Sequence, residues 1–134
     1  MGNQFYAHSR ADTPQDQWQP LEKHLREVAH KAAEFAAAFA SADWAHNAGW
    51  LHDLGKADNS FQAYLLRENG LDDSEYDDPG AGRVNHSSAG AALAEEKLGP
   101  RVGRVLAYLA AGHHALVPKP VIWQAHWHSR RMQR

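Results

Sequence analysis

The sequence predicts an all-α domain, a compact bundle of about five to six helices. Three observations carry that prediction. Apolar residues recur at helical spacing in several segments, no stretch alternates convincingly as a strand does, and Gly and Pro punctuate the chain between the periodic segments. The 134 residues fit one domain, residues 1–134, with an atypical tail over 118–134.

The elements follow in order. Pro20 suits a first helical turn, and after it Leu21, Leu25, Val28, Ala32, Phe35 and Phe39 share one stripe. A second helix is predicted over 41–54, with Ser41 as its N-cap and Gly55 as its stop. Its apolar face is Trp44, Ala45, Ala48 and Leu51. A short third helix covers 61–67. Residues 70–85 carry Asp72, Asp73, Glu75, Asp77 and Asp78 beside Pro79, Gly80 and Gly82, and read as a solvated acidic loop. A fourth helix spans 86–98 and is closed by Gly99-Pro100. A fifth spans 101–114, with Val102, Leu106, Leu109 and His113 on one stripe.

Composition removes several classes of function. There is no cysteine, so neither a disulfide framework nor a thiolate metal site is available. Residues 1–10 hold no apolar run, and position 6 is not Ser or Thr, which argues against a secretory signal and against myristoylation. The longest nearly apolar stretch, 32–42, contains Glu34 and is too short to span a bilayer. A soluble, cytoplasmic protein that does not engage membranes is expected. The formal charge of −2 is not the basic footprint of a protein that grips nucleic acid unaided. Any such substrate needs delivery by a partner or capture at the site. The late cations Lys119, Arg130, Arg131 and Arg134 are the exception.

Ten histidines are the unusual count. A helix turns about 100° per residue, so i, i+3, i+4 and i+7 share a side. By that rule His24 borders the stripe of Leu21 and Val28, whereas His30 faces water. His52 shares a side with Ala45 and Ala48, and His46 is rotated away. His113 continues its stripe, and His114 adjoins it. His8, His126 and His128 read as surface residues. The bland alternatives are real. A His-Asp pair is expected about 0.7 times by chance in this composition, a lone inward histidine is usually a hydrogen-bonded core residue, and a histidine pair at a helix end can serve the helix dipole. The set weighs more than its members: four inward histidines with Asp53 beside one of them, and no thiolate.

Leu51-His52-Asp53-Leu54-Gly55-Lys56 resembles the signature of the HD superfamily of metal-dependent phosphohydrolases. The wider order is more specific. Tyr6-Ala7-His8-Ser9, Trp18-Gln19-Pro20-Leu21, His24-Leu25, Phe61-Gln62-Ala63-Tyr64-Leu65, Asn85-His86-Ser87-Ser88-Ala89-Gly90-Ala91 and Gly112-His113-His114 follow one another over 5–117. This series is similar to the HD nuclease domain of the type I CRISPR helicase–nuclease, or its stand-alone form. The resemblance implies two divalent transition metal ions (manganese, iron, cobalt, nickel or zinc) between the helices. It assigns His24, His52 and Asp53 to the first ion. Asp53 bridges to the second, which His86, His113 and His114 complete. Lys56 is placed near the site, touching a phosphate. Such donors suit these metals better than magnesium, and paired ions can hold and hydrolyse a phosphodiester.

The resemblance further implies a single-stranded DNA substrate, a helicase domain or subunit as partner, and the CRISPR surveillance complex beyond it. One departure stands out: family members carry a further aspartate after the paired histidines, and here none follows Asp78. Unequal ion sites are therefore expected, the second filled and the first weak or empty, with slow or no activity in this chain alone. Two other readings compete, an HD phosphohydrolase acting on nucleotides or cyclic nucleotides, and an HD scaffold without catalysis.

Overall fold

A computed structural model describes residues 4–71 and 86–113. The acidic loop from Asp72, His114, and the tail with His126, His128 and the late cations lie outside the described residues. Five α-helices dominate, α1 (Leu21–Ala36), α2 (Ala42–Leu51), α3 (Asn59–Glu68), α4 (Ser88–Leu98) and α5 (Arg104–Gly112). The predicted all-α bundle is what forms, with one addition. β1 (Tyr6–His8) pairs antiparallel with β2 (Gln19–Pro20), Tyr6 opposite Pro20 and His8 opposite Gln19. Two- and three-residue strands are too short to show alternation, which is why the pattern was silent.

Leu21, Leu25 and Ala29 are buried at i, i+4 and i+8, and α1 packs this face against α2. Pro20 stands just before α1 as its N-cap, and the free Leu21 N–H finds the Phe5 carbonyl at 2.8 Å. The far end of α1 departs from the expected stripe: Phe35 is 71% and Phe39 80% exposed. The helix stops early because Ala40 adopts a left-handed conformation with φ 54°. Ser41 N–H then bonds Ala36 O and Ala40 N–H bonds Ala37 O, both at 3.1 Å, a Schellman closure with alanine where glycine is usual. Ser41 consequently does not cap α2 through its side chain, because its hydroxyl donates backward to the Phe39 carbonyl.

Trp44, Val102 in the turn before α5, and Leu109 on α5 are also exposed, contrary to the stripes assigned to them. On α5 the inward face is Leu106, Ala107 and Ala110, rotated by about one residue from the expected one. A π-helical turn over Gly99–Gly103 precedes α5 and sets that rotation, so the helix begins at Arg104 instead of position 101. Ala94, Leu106 and Ala107 form one buried cluster, with Ala48 and Leu51 packed on it. A second cluster joins Tyr6, Trp18, Phe61 and Leu65, with Tyr6 and Trp18 edge to face at 5.6 Å. Among the described residues no helix is long and apolar enough to cross a membrane.

Candidate metal centre

The centre is built around a helix that ends early. α2 closes at Leu51, short of the expected end at Leu54, and a 3₁₀ turn over Leu54–Ala57 follows. Neighbouring residues on a helix point about 100° apart and do not face one another. Asp53 leaves helical geometry, with φ −117° and ψ 16°, which lets His52 and Asp53 converge. The turn closes on itself through Lys56 N–H to Asp53 O at 3.0 Å.

Asp53 is buried, and its two carboxylate oxygens face different groups. His24 Nε2 lies 3.1 Å and His52 Nε2 3.4 Å from Oδ2, and the two imidazole nitrogens are 3.2 Å apart. His113 Nε2 lies 3.0 Å and His86 Nε2 3.4 Å from Oδ1. Neighbouring rings run in an arc, His8, His24, His52, His113 and His86, with centroids separated by 4.9, 5.2, 5.0 and 6.2 Å. His30 and His46 are exposed, as helical geometry requires.

The donor chemistry fits a metal. His52 Nδ1 lies 2.6 Å from Gly49 O and His113 Nδ1 2.5 Å from Ala110 O. Those carbonyls only accept, so each ring carries its proton on Nδ1, a tautomer inferred from the contact. With Nε2 turned toward a carboxylate oxygen, each contact needs a positive charge between the two atoms, a ring proton in the metal-free protein or a metal ion in its place. A backbone partner on the far nitrogen is also how metal-bound histidines are oriented. Bonds of about 2.1 Å place adjacent donors about 3.0–3.4 Å apart in octahedral to tetrahedral sites, the range spanned by the contacts around each Asp53 oxygen.

Lys56 is buried too. Its ammonium lies 2.9 Å from Asp53 Oδ2, donates to Ala7 O at 3.1 Å, and rests over the Phe61 ring at 5.5 Å. Burial opposes ionisation of Asp53, but hydrogen bonds from His24, His52 and Lys56, and the Lys56 charge, hold its pKa far below the carboxylate range. Burial likewise opposes charging His52, yet its contacts with Asp53 and Gly49 outweigh this and raise its pKa above 6.5.

His86, which helix-face reasoning could not place, is brought in by close backbone approaches. A Cβ on Gly55 would fall on the His86 carbonyl, and one on Gly90 would fall on the Leu51 carbonyl. His8 was read as a surface residue. It is exposed, but its ring lies edge-on to His24, and the ligating atoms of His8, His24 and Asp53 lie within 4.8 Å of one another. Its strand offers no helical period, so only the motif at residues 6–9 could have flagged it.

A helical bundle that gathers imidazoles around one carboxylate on a His-Asp bend defines a metal-dependent hydrolase of the HD type. The chain belongs to the family described as Cas3, HD domain, which matches residues 6–133. That family is one of CRISPR-associated HD nucleases, and its match runs past residue 117, where the motif series ended. No curated protein and no solved structure matches the chain significantly.

Proposed function

We propose that the chain is a two-ion phosphodiesterase that cleaves single-stranded DNA. The observation that carries this reading is the divided carboxylate: Oδ2 of Asp53 faces His24 and His52, and Oδ1 faces His86 and His113. His24, His52 and Asp53 hold one ion. His86, His113 and the same carboxylate hold the other, with His114 as a further donor. Ions held by these residues would supply an activated water and charge for the leaving oxygen. Asp53 would be shared between them, and its low pKa keeps it ionised for that task. Lys56 holds the carboxylate in register and adds positive charge beside the position of a phosphate. Iron, cobalt, nickel, zinc and manganese suit the donor set. A helicase domain or subunit, acting with the CRISPR surveillance complex, supplies the strand, since the chain's net charge of −2 gives little grip of its own.

The test is incubation of the purified chain with cobalt or manganese and either labelled single-stranded DNA or nucleotides. DNA should be cut at micromolar protein, with a shallow salt dependence of binding, and His52→Ala should abolish cutting. Rapid hydrolysis of cyclic nucleotides or nucleoside triphosphates with DNA left intact would replace the reading with a nucleotide phosphohydrolase.

A further inference from the structure

We infer that His8 is a fourth protein donor to the ion on the Oδ2 side of Asp53, making that site three imidazoles and one carboxylate. The inference rests on the two-ion reading above and goes beyond the donors it uses.

Three observations carry it. First, the ligating atoms of His8, His24 and Asp53 cluster within 4.8 Å, and the His8 ring meets His24 at 4.9 Å and 82°. Second, the backbone that presents His8 is pinned to the centre. Lys56 Nζ holds Ala7 O, and the Gln62 side chain grips Tyr6 from both directions: it accepts from Tyr6 N–H at 3.0 Å and donates to Tyr6 O at 2.9 Å. Gln62 also donates to Lys56 O at 2.7 Å, so the strand and the Asp53 turn form one unit. Third, among the described residues other than His8, His24, His52 and Oδ2 supply three donors on this side, one short of the four that a tetrahedral ion takes. The His8 side chain is exposed, and exposed side chains adjust their rotamers within nanoseconds, so its ring is free to close on an ion held by His24 and Asp53.

The added imidazole has a consequence for metal choice. A site rich in imidazole favours cobalt, nickel, zinc or iron, whereas carboxylate and water favour manganese and magnesium. The Oδ2-side ion is therefore selected by His8 toward the former group.

The experiment is a cobalt titration of the full chain, followed by visible absorption and calorimetry. Wild type should take two ions. His8→Ala should weaken one of them at least about tenfold, the lower end for losing even an outer partner of a ligand, and leave the other unchanged. His8→Asp keeps a donor, so it should restore much of the affinity and shift that site toward manganese. Thermal melts of metal-free protein check that both variants fold. If His8→Ala and His8→Asp both bind two cobalt ions as wild type does, while Asp53→Ala binds none, the inference fails and the two-ion reading stands. If wild type binds no ion at all, both fall together.

Discussion

The two sides of the Asp53 carboxylate are assembled in different ways. The Oδ2 side is largely local. His52, Asp53 and Lys56 come from one bend, His24 comes from the helix packed against α2, and Lys56 fastens the bend to β1. The Oδ1 side recruits His86 and His113, the latter 60 residues away in sequence, through the packing of α4 and α5 on α2. A bend stabilised by its own hydrogen bonds resists perturbation. A site made by helix packing depends on how closely backbones approach, so it should be the first to loosen.

The largest effect is expected where the two sides meet. Asp53→Ala removes the shared donor, and metal analysis should find neither ion bound. It also leaves the Lys56 ammonium buried against Ala7 O without its counter-charge. Losing one partner of a buried pair costs about 3–5 kcal/mol. Denaturant melts of metal-free protein should register a loss of that order, and adding Lys56→Met should recover much of it. Full stability in Asp53→Ala alone would mean that the Lys56 side chain turns out to water.

A smaller effect should separate the sides. Gly55 is buried, and a Cβ there meets the His86 backbone, which cannot yield as a flexible side chain would. Gly55→Ala should displace His86 and destabilise the fold by about 1–3 kcal/mol, the usual cost of overpacking. Cobalt binding should then weaken on the Oδ1 side and persist on the Oδ2 side. Equal weakening of both ions would show that the carboxylate itself had moved.

The same contrast explains what the sequence revealed. His24, His52 and His113 were readable because helical periodicity orients side chains, and His30 and His46 were excluded by the same rule. His86 precedes its helix by two residues, so no period reaches it; only the motif series assigned it. The exposed Phe35, Phe39 and Leu109 were misplaced because periodicity does not say where a helix stops or how the next one is rotated. Ala40 takes a left-handed turn without glycine to announce it, and the turn over Gly99–Gly103 is π-helical, which shifts the register of α5. His8 lies on a strand of three residues, too short for any period.

The smallest expected effect lies within the Oδ2 side and has two opposite signs. In metal-free protein His52 is harder to deprotonate than an ordinary imidazole: burial opposes its charge, but Asp53 and the Gly49 carbonyl overcome that. His8 is lowered below 6.5, by partial burial first and then by the nearby charges of Lys56 and His24. Ring-proton NMR between pH 5 and 8 should therefore show His8 losing its proton before His52. The linkage follows from the signs. The raised pKa of His52 contributes stability that is fully present below pH 6.5 and lost as pH rises through its folded value. The lowered pKa of His8 does the reverse, withdrawing stability as pH falls from 6.5 through its folded value. The two contributions act in adjoining windows, so the metal-free melting temperature should be highest near pH 6.5 and fall on either side. His8→Ala should remove the acid-side loss and leave only the decline as pH rises through the His52 titration. If His52 instead titrates first in the wild type, Asp53 is not its partner without metal, and the Oδ2 side is assembled by the ion rather than by the fold.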